Sequence, residues 1–269
     1  MFVSTAYRAM LQRSGLVRFA DFCGSEGEVI SAHGSRDVVK LALTAEDGPH
    51  TVYLKRFGPT HLKDALKDLL RLRRVRTKAL VEFTMLCALR DVDVAVPNAI
   101  ACGERHVLGR DRASFIMIDA LPAGRPLDEV LTDVDEPTRR RRLIASAAAF
   151  VRRMHDAGFT HTDLFAKHLF VAEAADDAWS VSVIDLQRGR LEASASRKRR
   201  GRDLAALMVS LEPDAMTLRE RRMFLLGYLD ADRLTADDLR FVRNVVLPRA
   251  RKLSRRGVYR AWQPLLERT

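Results

Sequence analysis

The sequence predicts an α+β chain in two parts, a small antiparallel-sheet part followed by a larger helical part. Three observations predict it. Short apolar runs with turn residues between them fill the stretch from Gly27 to Phe57 and recur at Ala99 to Gly103 and Ser114 to Ile118. The apolar spacing turns helical from Leu62, and beyond the breaker-rich segment Leu121 to Pro126 it is helical almost throughout.

The elements follow in order. A helix-capable stretch opens the chain. Gly27 to Ala32 and Val38 to Leu43 read as a hairpin across His33-Gly34-Ser35. A second turn, Glu46-Asp47-Gly48-Pro49, leads into the strand His50 to Phe57, completing a three-stranded meander. From Leu62 to about Arg90, Leu62, Leu66, Leu69 and Leu70 share one helical face and Val81, Met85, Leu86 and Leu89 another. Val96-Pro97-Asn98 turns into a short strand, Ala99 to Gly103, and Ser114 to Ile118 is a further strand. Leu121-Pro122-Ala123-Gly124-Arg125-Pro126 breaks all regular structure, which sets the boundary between a sheet part, 1–120, and a helical part, 121–269. Thr138 to His155 carries Leu143, Ala147, Phe150, Val151 and Met154 at helical spacing and ends at Ala157-Gly158, a C-cap. Two short strands are expected at Leu169 to Val171 and Val181 to Ile184, then helices from about Gly201.

Composition narrows the function classes. Forty-six basic against 35 acidic residues give a formal net charge of +11, which favours an anionic partner: nucleic acid, a phospholipid surface or a phosphorylated substrate. The basic residues cluster at Arg71 to Lys78, Arg139 to Arg142, Arg197 to Arg202 and Arg249 to Arg260. Each cluster alone also reads as a solvated helix face. Nucleic acid is the weakest choice, because no aromatic-interleaved basic strand or recognition helix accompanies the arginines. Three scattered cysteines without CxxC spacing argue against a zinc site or disulfide framework. The N-terminus has no long apolar run, and no stretch approaches 18 uninterrupted apolar residues, so neither a signal nor a spanning helix is expected.

The chemistry-bearing pattern is His161-Thr162-Asp163-Leu164-Phe165-Ala166-Lys167-His168, followed by Val183-Ile184-Asp185. Phosphoryl transfer needs few protein groups: one carboxylate to take the proton of an attacking hydroxyl, and a divalent metal to neutralise the phosphates. Asp163, in a loop after a helix, and Asp185, at the end of an apolar strand, suit those tasks. A His-x-Asp triplet alone is common by chance; the whole succession of helix, glycine, HTD, strand, turn and strand ending in Asp is not. Lys55 lies inside the apolar run Val52-Tyr53-Leu54 and must find solvent or a partner. Glu82, on the following helix, is the candidate partner, against the alternative of an edge-strand lysine in water and a surface glutamate.

These motifs together resemble the lipopolysaccharide core kinases, the heptose and Kdo kinases, a branch of the bilobal protein-kinase-like fold. The resemblance runs from about Gly27 to Leu211 and rests on YLKR around Lys55, LKDALKDLLRLR ahead of Glu82, SFIMIDAL, MHDAGFTHTDLFAKHLFV, VSVIDLQRGR and RGRDLAALMVSL. It implies a kinase N-lobe over 1–120 and a C-lobe over 121–269. It implies ATP and Mg2+ as cofactors, Asp163 as catalytic base, and Asp185 with His168 at the metal. Lys55 and Glu82 become the phosphate-gripping pair, and Asp119 to Leu121 the hinge whose backbone holds adenine. His161 braces the catalytic loop, and Asp203 lies on the helix that supports it. The implied acceptor is a sugar hydroxyl of a glycolipid, met on the anionic cytoplasmic face of the inner membrane by a cytoplasmic, peripheral protein.

Two features depart from common kinase patterns. His168 stands where most kinases have asparagine, a histidine that the resemblance to the heptose-kinase branch leads one to expect, and GxGxxG is absent, leaving only Gly34 in the hairpin turn. Arg188, three places past Asp185, reads either as a phosphate contact or as a surface ion pair. A protein or small-molecule kinase on the same fold, and a pseudokinase acting as a membrane-associated binding module, stay open as alternatives.

Overall fold

Strand β4, Gly48–Phe57, lies inside a six-stranded antiparallel sheet, between β3 (Arg36–Ala45) and β6 (Arg110–Asp119). The order is β1-β5-β6-β4-β3-β2, with β1 at Phe2–Val3, β2 at Glu28–His33 and β5 at Ala99–Val107. The computed structural model describes residues 1–59, 77–107, 110–121, 124–174 and 178–255. The expected helical face of Leu62, Leu66, Leu69 and Leu70, the arginines 71 to 76 and the end of the C-terminal basic stretch lie outside the described residues.

Contacts divide the chain into two units, Met1–Ala88 with Pro97–Ala120, and Leu89–Val96 with Leu121–Thr269. The sequence expectation drew a single cut after residue 120, so the short segment Leu89–Val96 groups otherwise. In the first unit, Val39, Leu41, Val52, Leu54, Phe115 and Met117 turn one sheet face toward Met10, Leu11 and Phe22 of the helices Arg8–Arg13 and Phe19–Gly24. Phe22 stacks on Phe115 with ring centroids 4.4 Å apart. Because successive strand side chains point to opposite faces, Lys55 leaves the sheet on the other side from Leu54. The strands run longer than expected: β5 continues past Gly103 to Val107, and β6 fills Arg110–Asp119.

The second unit is built on the helix Pro137–Asp156. Pro137 sits in its first turn, and the Glu136 carboxylate accepts the Thr138 and Arg139 amides. Leu143, Ala147, Phe150, Val151 and Met154 form its buried stripe. Gly158 ends it at φ +85, where a Cβ would fall 1.9 Å from the Glu192 carbonyl oxygen, so only glycine fits. Strands β9 (Leu169–Glu173) and β10 (Trp179–Val183) pair antiparallel. Against expectation, Arg125–Pro126 is not irregular. It forms a short edge strand, β7, on β9, a place where a proline lacking its N–H costs no ladder bond. No described helix is long and apolar enough to cross a membrane.

Candidate active site

A two-residue ladder frames the HTD loop. β8, Phe159–Thr160, pairs with β11, Arg190–Leu191, with Thr160 opposite Arg190. This register brings the residues just after β8 beside those just before β11, and Thr162 Oγ1 accordingly donates to the Arg188 carbonyl at 2.8 Å.

Asp203, fully buried on the helix Arg197–Ser210, holds the loop from behind. Its carboxylate accepts the backbone N–H of His161 at 2.6 Å and of Thr162 at 3.0 Å, and His155 Nε2 approaches to 3.4 Å. These bonds stabilise Thr162 at φ +76, a left-handed conformation that a β-branched residue avoids. Arg202 Nη2 adds a bond to Thr162 Oγ1 at 2.8 Å. His161 is buried, and its Nε2 donates to the Ile184 carbonyl at 2.8 Å, tying the HTD loop to the residue before Asp185. It braces, as expected.

His168 stands between the Asp163 backbone and the Asp185 carboxylate. Its Nδ1 donates to the Asp163 carbonyl oxygen at 2.9 Å, its carbonyl accepts the Ile184 amide at 3.0 Å, and its Nε2 stands 3.8 Å from Asp185 Oδ2. A carbonyl can only accept, so Nδ1 carries the ring hydrogen and the neutral ring keeps its lone pair on Nε2. Burial pushes the His168 pKa down, which favours that neutral form. Asp185 takes φ 60, ψ 57 at the entry to a 3-10 turn, Leu186–Arg188. From that turn Arg188 Nη1 reaches Asp163 Oδ2 at 2.7 Å, the ion pair that is one of the two sequence readings of Arg188.

The pair Asp185–His168 suits a divalent cation in part. An oxygen anion and a nitrogen lone pair 3.8 Å apart have no proton to share between them. Among the described residues no third His, Cys, Asp or Glu completes a three-membered cluster. Magnesium in nucleotide sites takes its remaining ligands from substrate phosphates and water. The imidazole is a softer donor than magnesium prefers.

In the first unit, Lys55 Nζ meets Glu82 Oε1 at 2.5 Å, with both residues buried. The alternative of a solvated edge lysine is overturned, since β4 has a strand on each side. Asp119 is more than a stretch of backbone. Its carboxylate accepts His50 Nε2 at 2.7 Å, Asn98 Nδ2 at 2.8 Å and the Tyr7 hydroxyl. Its N–H donates to Asn98 O, and the Ala120 N–H to Thr51 O. Those two amides are therefore committed within the protein. The Leu121 carbonyl accepts the Gly124 amide at 3.3 Å.

Several arginines of the two clusters at 139–142 and 197–202 bind internal partners. Arg140 binds Glu220 at 2.6 Å, Arg139 pairs with Glu173, Arg197 with Asp237, Arg199 with Glu192 and Arg200 with Asp156.

A carboxylate in an HTD loop braced by a buried aspartate, a second carboxylate after the next strand, and a buried Lys–Glu pair define a protein-kinase-like phosphotransferase. The chain belongs to the lipopolysaccharide kinase (Kdo/WaaP) family, whose model matches residues 27–228. It is 32% identical over 217 residues to the lipopolysaccharide core heptose(I) kinase WaaP of Escherichia coli strain K12, covering 78% of this chain and 80% of that one. It is 31% identical over 170 residues to the protein of the same description from Pseudomonas aeruginosa, covering 60% and 63%. A solved structure of WaaP in complex with acyl carrier protein superposes with a TM-score of 0.68 at 25% identity, covering 95% of this chain and 98% of that one.

Proposed function

We propose that the protein transfers the γ-phosphate of ATP to a sugar hydroxyl of a lipopolysaccharide-core glycolipid. The observation that carries this reading is that the His168 ring lies between the Asp163 backbone carbonyl, which Nδ1 binds at 2.9 Å, and the Asp185 carboxylate, 3.8 Å from Nε2. In the transfer the acceptor oxygen forms a bond to Pγ, the Pγ–O bond to ADP breaks, and the hydroxyl proton passes to Asp163. Asp185, with His168 beside it, would hold Mg2+. That ion, when bound, neutralises the charge of the phosphates. Lys55, fixed by Glu82, grips the nucleotide phosphates, and the backbone from Asp119 to Leu121 receives adenine through groups other than the committed Asp119 and Ala120 amides. The unit holding the six-stranded sheet is then the nucleotide-binding lobe, and the unit holding Asp163 the catalytic lobe. Glycolipid acceptors and a net charge of +11 together favour peripheral work on an anionic, cytoplasmic membrane face.

The test is transfer from radiolabelled ATP to core glycolipid from cells lacking the enzyme, beside protein and aminoglycoside acceptors. Label in the glycolipid alone supports the reading. Label in protein or aminoglycoside replaces the acceptor class, and ATP binding without any transfer supports a binding module instead.

One observation favours an added partner. The second unit contains a cavity of about 190 Å³ lined almost wholly by apolar side chains, among them Leu127, Ile144, Leu204, Met208 and Phe224. The structural relative was solved with acyl carrier protein. We extend that partnership to this chain, with the cavity as the seat of an aliphatic chain. Native mass spectrometry of the purified protein should find an acylated carrier, and Ala147→Trp should remove it.

A further inference from the structure

Arg188 is the cation in direct contact with the Asp163 carboxylate, and its backbone and side chain are held very differently. Its carbonyl accepts Thr162 Oγ1 at 2.8 Å. The next residue, Gly189, packs so closely that a Cβ would fall 2.5 Å from the Phe159 ring, and the Arg190–Thr160 pairing fixes the chain one step further. The side chain, by contrast, is 69% exposed, and its bond to Asp163 Oδ2, at 2.7 Å, runs through Nη1. That engages one of five N–H donors. An ion pair so exposed contributes little to stability. The loop is already held by Asp203, by Thr162 and by the β8–β11 ladder, so a structural staple there adds little.

We infer that Arg188 reads an oxyanion on the acceptor. With Nη1 on Asp163, the remaining edge of the guanidinium receives a phosphate or carboxylate lying beside the hydroxyl to be phosphorylated. The inference rests on the sugar-kinase reading and deepens it: the acceptor carries an oxyanion, on the reacting sugar or its neighbour, beside the hydroxyl to be phosphorylated. Paired N–H donors in a planar fork match such groups, and a lysine ammonium does not span a carboxylate and an oxyanion in that way. An arginine engaged on both sides ties recognition to chemistry, because a sugar seated on Arg188 brings its hydroxyl to Asp163.

Core oligosaccharide from cells lacking the enzyme provides the probe in three forms: intact, dephosphorylated with aqueous hydrofluoric acid, and carboxyl-reduced. Steady-state kinetics are measured for the unaltered chain, Arg188→Ala and Arg188→Lys. The unaltered chain should lose roughly ten- to a hundredfold in kcat/KM on the form lacking the recognised group. Which treatment does so tells phosphate from carboxylate. Arg188→Ala and Arg188→Lys should show that loss already on intact acceptor and be indifferent to the treatment, with KM for ATP unchanged. The role is overturned if the unaltered chain uses all three forms equally, if Arg188→Ala loses as much as the unaltered chain on treatment, or if its defect lies in KM for ATP. No transfer by the unaltered chain to any form removes the sugar-kinase reading itself.

Discussion

The Nε2 atom of His168 stands 3.8 Å from Asp185 Oδ2, while the other ring nitrogen is bound to the Asp163 carbonyl. One side chain thus holds the backbone at Asp163 and stands beside the Asp185 carboxylate, and replacements should separate its two tasks. An asparagine offers an N–H for the carbonyl and an oxygen for the cation, so His168→Asn should keep much of the activity. His168→Ala loses both and should fall roughly 10- to 100-fold in kcat/KM, the usual cost of losing an orienting partner at a metal site. His168→Asn should also use Mg2+ better relative to Mn2+ than the unaltered chain does, because its donor set is all oxygen. Activity titrations with each metal check both.

Lys55 and Glu82 are buried as a pair, so removing one partner leaves an uncompensated charge. Glu82→Ala should destabilise the protein by about 3–5 kcal/mol, whereas the double change Lys55→Met with Glu82→Leu should cost less. Both should lose ATP affinity. Denaturant unfolding and nucleotide titration read the two effects separately.

Asp203 touches neither of the proposed substrates, yet it fixes the two amides before Asp163. Asp203→Ala leaves them buried without that acceptor and should cost upwards of about 3 kcal/mol. Asp203→Asn should cost less. For both, kcat should fall while ATP affinity persists, because Thr162 is no longer held at its left-handed φ. Steady-state kinetics beside equilibrium unfolding check this.

Glu220 ties the helix Leu218–Leu229 to Arg140. Burial raises its pKa, but the Thr217 amide and Arg140 outweigh that, and the net shift is downward. A depressed carboxylate contributes stability above its unfolded pKa of about 4.3, and that contribution is lost as pH falls through the lower folded value. Glu220→Gln should therefore lower the melting temperature near neutrality and flatten its decline in acid. Thermal melts across that range decide it.

The sequence carried the site best where the chemistry is local. HTD, His168 and Asp185 lie within 25 positions, and two short strands set their spacing. Lys55 was readable because alternation places it opposite Leu54. What escaped depends on tertiary pairing. β1 is two residues long and offers no alternation to read, yet it closes an edge of the sheet on β5. Asp119 was expected to serve through its backbone, while its carboxylate gathers Tyr7, His50 and Asn98 from distant segments. No local rule selects Asp163 as the partner of Arg188, or Glu220 as the partner of Arg140 80 residues away. For the same reason the arginines at 139–140 and 197–200 read as surface charge, though Arg139, Arg140, Arg197, Arg199 and Arg200 each pair with an acid.

Asp163 is the group on which the proposed reaction turns. Asp163→Asn removes the base and spares the nucleotide contacts, so kcat should drop by about 10²- to 10⁴-fold with ATP affinity retained. The most direct measurement is mass spectrometry of core glycolipid from cells deleted for this protein and complemented with either the unaltered chain or Asp163→Asn. The account predicts glycolipid one phosphate heavier with the unaltered chain and no such species with the variant. The same phosphate content in both would contradict it.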